Sequence, residues 1–345
     1  MRQIFRYDPA IGWRFIPNIT ARIPHSGGGY LLRTNHLGFR CDHDGDPDGD
    51  APQVLLFGDS FTAGDGVSNG KRYGDVAESR LGGIEIRNFA IPGIGPDQQY
   101  LTWRTAAVGC RADVVVVAIW VENIRRVVSR MRWFEDQSGG EKLFAKPWFE
   151  LRNGELELRG APPPARPVAA TLSSDDRAYI AQRARLPWAR PIVERVRGHR
   201  LFADLDLQHR VVEPALRATR YQPVPEYADR DGAPWKLVNA IVSQWSSEVA
   251  APVIIVPLPF HHHVLGIADP TDYQARFREL STSSGATSFD PLEALQTLDR
   301  TDRRKLYFAT DGHPTALWHQ IVGEALTPVL SAQVVAARQT IEGAR

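Results

Sequence analysis

The stretch LLFGDSFTAGDGV, residues 55–67, decides the fold. Together with Gln53 and Val54 it opens on QVLLF, a short apolar run ended by Gly58, which is the pattern of a strand buried in a parallel sheet. The chain then turns through Gly58, Asp59 and Ser60 and continues through Thr62, Ala63 and Gly64. A serine just past the C-terminal end of a strand lies where open α/β sheets take their ligands. A helix starting there would point backbone N–H groups at an oxyanion formed on that serine. The same serine would serve equally well as a helix cap, so this stretch alone leaves catalysis and capping open.

Downstream, residues 73–81 read as a helix, 84–88 as a second strand, and 97–110 as a helix with Asp97 near its N-terminus. Residues 113–120, DVVVVAIW, are the strongest strand signal, because consecutive valines suit a pleated site covered on both faces. A helix over 235–249 leads into a strand within 250–258. A helix around 273–284, a short strand at 287–289 and a closing helix over 315–330 follow. This alternation predicts an α/β doubly wound parallel sheet, and the order taken for it is the flavodoxin-like 2-1-3-4-5. Residues 136–234, with APPPARP at 161–167, two tryptophans and many arginines, break the rhythm. They read as an insertion or cap after strand 3, partly helical over 175–207. Residues 1–52 read as an irregular N-terminal extension packing on a core domain of residues 53–345. That extension ends in the solvated linker DHDGDPDGDAP, residues 42–52.

Charge excludes some functions. Lys and Arg total 41 against 40 Asp and Glu, a net +1, which leaves no electrostatic footprint for nucleic acid or an anionic membrane. Cys41 and Cys110 are the only cysteines, too few for a disulfide framework, and CxxC metal spacing is absent. The aspartates of residues 42–52 lack the spacing and terminal Glu of a calcium loop. The N-terminal residues lack the apolar stretch of a secretory signal. No run of about 18 apolar residues marks a membrane span. These features predict a cytoplasmic protein, or a periplasmic one if a leader has been removed, with no metal and no organic cofactor. They leave the oligomeric state undetermined.

Three further segments carry chemistry. ATDGHPTALWHQ, residues 309–320, sets Asp311 and His313 two apart in a turn before a helix. A serine needs a base to lose its proton, and that base needs a carboxylate to fix its tautomer; one Asp-x-His turn can present both. RNFAIPGIG, residues 87–95, runs from a strand into a loop where Gly93 can offer its N–H without a side chain in the way. VVVVAIWVENIRRV, residues 114–127, places Asn123 just after the valine strand. Taken singly, each has an ordinary reading as cap or turn. Together, Ser, Gly, Asn and Asp-x-His fall in order at strand ends, and in a 2-1-3-4-5 sheet Ser60 and Asn123 flank one crevice.

On these residues the chain resembles the GDSL/SGNH hydrolase superfamily, whose four blocks centre on Ser, Gly, Asn and His. The matching blocks are Gly58-Asp59-Ser60-Phe61-Thr62-Ala63-Gly64, then Asn88 with Pro92 and Gly93, and Asp311-Gly312-His313-Pro314. YDPAIGWRFIPN (residues 7–18) and TNHLGFR (34–40) look like the N-terminal extension of bacterial members. The resemblance implies a catalytic triad of Ser60, His313 and Asp311. It also implies an oxyanion hole from the N–H groups of Ser60 and Gly93 and the Asn123 amide. One block departs: Val121-Glu122-Asn123-Ile124 has Glu where the family has Gly and Ile where it has Asp. The expected activity is hydrolysis of a small acyl ester, acetyl foremost, on a small molecule or glycan. An O-acyltransferase and a catalytically impaired glycan-binding protein are the alternatives. Candidates for substrate contact are Asp59, Glu122, Arg125, Arg126, His261, His262 and His263; three adjacent histidines do not face one metal easily.

Overall fold

The computed structural model describes residues 4–45, 49–135, 141–168 and 213–343. Two antiparallel hairpins open the chain, β1 (Phe5–Asp8) with β2 (Gly12–Phe15) and β3 (Thr20–Ile23) with β4 (Tyr30–Arg33). The extension is therefore not irregular. Its strands are four residues long and interrupted by glycine and proline, too short for alternation to show in the sequence. Ile11, Trp13 and Phe39 from this region join the main core, and Trp13 Nε1 donates to the Pro92 carbonyl at 3.0 Å.

The central sheet has five parallel strands. They are β5 (Gln53–Phe57), β6 (Glu85–Asn88), β7 (Val114–Trp120), β12 (Val253–Leu258) and β13 (Thr287–Ser288), in spatial order β13-β12-β7-β5-β6. In order of appearance this is 2-1-3-4-5, the doubly wound arrangement expected from the alternation of elements. Its middle is dry: every residue of β5 and β12 is buried, as is β7 up to Ile119. Burial of each such Val, Ile or Leu side chain contributes roughly 1.5–3 kcal/mol.

Helices cover both faces. The helix Ala233–Glu248 buries Trp235, Val238, Val242 and Trp245 at alternating three- and four-residue spacing, one stripe turned to the core. The closing helix extends over Ala316–Gly343, beyond the expected 315–330. By length and composition its residues Ala316–Thr340 are apolar enough to cross a membrane, contrary to the expectation that no such segment exists. Trp318, Val322, Leu326, Leu330 and Val334 recur every fourth residue and pack into the core, so one face of this helix is turned to the sheet domain.

The insertion after β7 contains two hairpins, β8 (Met131–Glu135) with β9 (Glu141–Ala145) and β10 (Trp148–Arg152) with β11 (Glu155–Arg159). The short helix Glu213–Ala218 comes next. The helix expected over 175–207 lies outside the described residues. Lys146, between β9 and β10, forms a buried ion pair with Asp97 and ties the insertion to the helix Pro96–Thr102.

Candidate active site

The nucleophile segment is fixed from both ends. α1 (Ser60–Ala63) is a single turn whose cap is Asp59, not Ser60: Asp59 Oδ1 accepts the Phe61 N–H at 3.0 Å. This frees the Ser60 hydroxyl from capping. Arg40, fully buried, closes the other end. Its guanidinium donates to the carbonyls of Ala63 at 2.7 Å, Gly64 at 2.5 Å and Leu31 at 3.1 Å, to that of Val67, and to Asn69 Oδ1 at 2.8 Å. One buried cation thus ties the end of α1, at Ala63 and Gly64, to Val67, to Asn69 and to β4 at Leu31. Burial pulls the Arg40 pKa down to about 10, aided by neighbouring Arg72.

Ser60 Oγ lies 3.0 Å from His313 Nε2. Asp311 Oδ2 lies 3.2 Å from His313 Nδ1, an ion-pair distance without the alignment of a good hydrogen bond, and Asp311 Oδ1 accepts the His313 backbone N–H at 3.1 Å. Burial works against the His313 imidazolium, yet Asp311, with Asp65 and Asp59 nearby, outweighs it and raises the pKa above the ordinary 6.5. Burial acts to raise the Asp311 pKa, but contacts with His313 and His25 dominate and pull it well below the usual range.

The glycine loop is stitched against the same turn. Asn88 Nδ2 donates to the Thr62 carbonyl at 3.0 Å, and the Ile91 N–H donates to the Gly58 carbonyl at 3.2 Å. Gly93 has φ +83°, in the region that favours glycine. Among the described residues the N–H groups of Ser60 and Gly93 meet no acceptor, so both remain available to a ligand oxygen.

Asn123, the third expected donor, already makes a hydrogen bond within the protein. Asn123 is fully buried and its Nδ2 donates to Asp59 Oδ2 at 3.1 Å. Arg126 Nη1 donates to the same oxygen at 2.8 Å and to the Ile94 carbonyl at 3.1 Å, with its guanidinium 5.2 Å from the Trp120 ring centre. Asp59, also fully buried, is thus the hub joining the serine turn to the end of β7. Ile124, at the family's Asp position, is a core residue, fully buried. Arg125 faces the insertion, pairing with Glu226 at 2.8 Å and with the Pro223 carbonyl at 2.7 Å; Glu122 lies 3.6 Å from its Nη1. Arg125, Arg126 and Asp59 are therefore engaged within the protein.

His261, His262 and His263 open the helix His261–Val264 after β12. Burial lowers their pKa values to about 3, 4 and 4, so all three are neutral at pH 7. His262 stacks on Phe260 at 5.3 Å, Phe260 on Trp120 at 5.6 Å, and Trp120 on Phe61 at 4.6 Å, an aromatic file ending beside the serine. No group of His, Cys, Asp and Glu among the described residues is arranged to hold a metal. Sequence reasoning missed His25, whose Nε2 lies 2.9 Å from Asp311 Oδ2. It sits in PHSGGG, a loop with no motif to single it out.

A hydroxyl in contact with an imidazole, a carboxylate behind that imidazole and two unengaged N–H donors beside it are what acyl transfer through serine requires. Fold and site together define a serine hydrolase of the doubly wound α/β kind. No family model and no curated protein sequence matches the chain. Among solved structures, a member of the lipolytic protein G-D-S-L family from Veillonella parvula aligns at 12% identity and TM-score 0.41, over 81% of this chain and 99% of that one. The α/β hydrolase LAE5, from a lake metagenome, aligns at 13% and 0.44, over 85% and 99%. The salicylyl-acyltransferase SsfX3 aligns at 9% and 0.39, over 83% of this chain and 56% of that one. At such identities the chemistry has to be argued from this chain's own residues.

Proposed function

We propose that the protein is a serine esterase that removes a small acyl group, acetyl foremost, from a carbohydrate through an acyl-enzyme on Ser60. The observation that carries this reading is the 3.0 Å contact between Ser60 Oγ and His313 Nε2. His313 Nε2 takes the hydroxyl proton as Oγ bonds to the ester carbonyl carbon. The N–H groups of Ser60 and Gly93 receive the oxyanion, and the second Nδ2 hydrogen of Asn123 is the candidate third donor. His313 then returns the proton to the leaving alkoxide oxygen. In the second half, water gives its proton to His313 and attacks the acyl carbon, releasing the acid and restoring Ser60. The rings of Phe61, Trp120, Phe260 and His262 stack on one another, and the partly exposed edges of Trp120, Phe260 and His262 are what supports a sugar substrate, as apolar surface with polar groups beside it.

The test has two stages. A fluorophosphonate probe is expected to label the protein, and Ser60→Ala to abolish labelling; a folded wild type that does not label refutes the hydrolase reading. A screen of acetylated sugars against longer-chain p-nitrophenyl esters is expected to favour the former, and preference for long acyl chains refutes the substrate assignment. An added alcohol acceptor separates hydrolysis from transfer by product analysis.

A further inference from the structure

We propose that His25 is a positioning residue of this site: an imidazole delivered by the N-terminal hairpin, whose Nε2–H holds the Asp311 carboxylate in place behind His313. The proposal takes from the functional reading that His313 is the base, and it stands on the following geometry. The loop between β3 and β4 turns tightly, with the His25 carbonyl accepting the N–H groups of Gly28 at 3.0 Å and Gly29 at 3.2 Å. His25 Nδ1 accepts the Gly27 N–H at 3.1 Å. A ring nitrogen that accepts carries no proton, so the neutral ring bears its hydrogen on Nε2, and that nitrogen lies 2.9 Å from Asp311 Oδ2.

The loop is keyed to the catalytic turn over several contacts. The His25 ring packs edge-on to Phe308 at 4.5 Å, Ser26 Oγ bonds Thr310 Oγ1 at 2.5 Å, and Gly27 lies so close to Phe308 that a Cβ there would collide with the ring. The His25 side chain is only 11% exposed, whereas that of Asp311 is 37% exposed. An accessible carboxylate on a turn is free to swing towards water. Apart from His25, Asp311 is held among the described residues only by His313 itself, through its backbone N–H on Oδ1 and its ring beside Oδ2. His25 supplies the one donor that does not belong to the residue being oriented. It thus does for this carboxylate what fixed surrounding donors do for a buried one.

The test uses the full chain labelled with 15N-histidine, as wild type, His25→Phe and His25→Gln. Phe keeps the ring packing against Phe308 and removes the donor; Gln keeps a donor near the Nε2 position. In wild type, His25 is expected as the neutral Nε2–H tautomer, and His313 to titrate above 6.5. In His25→Phe the His313 midpoint is expected to fall back towards 6.5, and in His25→Gln to be restored. Asp59 and Asp65, the other charges acting on His313, lie on the nucleophile segment and are the same in all three proteins. The rate of fluorophosphonate labelling at Ser60 is expected to fall about 10- to 100-fold in His25→Phe and to recover in His25→Gln. A His25 ring protonated on Nδ1, an unmoved His313 midpoint in His25→Phe, or a His25→Gln variant as impaired as His25→Phe overturns the proposal. Failure of the wild type to label, with the expected titrations, refutes the esterase reading and leaves the role of His25 standing.

Discussion

Arg126→Met is expected to damage the protein more than the loss of a surface arginine would, and Asp59→Asn in the same chain to repair much of the damage. Asp59 is fully buried, and the Arg126 side chain is 10% exposed. At their 2.8 Å separation the gross attraction is about 6 kcal/mol for an effective dielectric of about 20. Desolvation of the two ions offsets most of it, so the pair itself is worth little against a well-packed neutral substitute. Removing one partner is different. Arg126→Met leaves a buried carboxylate with only the Phe61 N–H and the Asn123 amide, and costs about 3–5 kcal/mol. Asp59→Asn alone strands the guanidinium, which keeps the Ile94 carbonyl and the Trp120 ring, and costs somewhat less. The double variant is expected to be more stable than the sum predicts by about 2–3 kcal/mol. Urea unfolding of the four proteins at pH 7 measures this, with fluorophosphonate labelling of Ser60 as a second readout. Additive single effects, or a cost for Arg126→Met under about 1 kcal/mol, would refute the hub assigned to Asp59.

Gly93→Ala forces an L-residue to φ +83°, at a cost of about 1–2 kcal/mol, and displaces the N–H proposed to receive the oxyanion. Labelling of Ser60 is expected to slow by up to about 10²–10³-fold, read from second-order rates. Because His313 has a raised pKa and acts as base only when neutral, the labelling rate is expected to fall as pH drops through a midpoint above 6.5. The stability drawn from the His313 imidazolium beside Asp311 runs the opposite way: it is complete below 6.5 and lost as pH rises through the raised value. His261, His262 and His263 have depressed values of about 3, 4 and 4. They bind fewer protons folded than unfolded, so stability is expected to decline as pH falls from 6.5 towards about 4. Urea midpoints at pH 7 and pH 5 read the decline, and His262→Phe, keeping the stack on Phe260, is expected to reduce it.

The sheet was legible because its strands are short dry runs alternating with helices, which makes it parallel and doubly wound; the expected order 2-1-3-4-5 is the observed one, but the alternation alone does not select it. Ser60, Gly93, Asp311 and His313 were legible because each stands in a short motif beside a strand end or before a helix. What the sequence hid is partnership. Asn123 was found by position, yet its amide is turned to Asp59, and Arg126 reads as a free cation until Asp59 is seen 2.8 Å away. Arg125 likewise finds Glu226, a residue far along the chain in the insertion. His25 meets Asp311 across nearly the whole chain, a distance no local pattern spans.

His25 comes from the loop between β3 and β4, Arg40 from the segment after β4, and Asp311 and His313 from the turn before the last helix; Arg40 and His313 touch the serine turn, and His25 touches Asp311. The chain therefore closes its site like a clasp whose halves come from distant stretches of the sequence. Residues 53–120 carry Ser60 and Gly93 but no histidine, so a chain that has reached only residue 120 holds the serine without its base. Ser60 gains its base only when the turn carrying residue 313 docks beside it. Ribosome-stalled chains ending before residue 311 would carry an inert serine, and those extending well beyond residue 313 an active one. The topology that scatters the machinery along the sequence also keeps an unfinished chain from attacking esters.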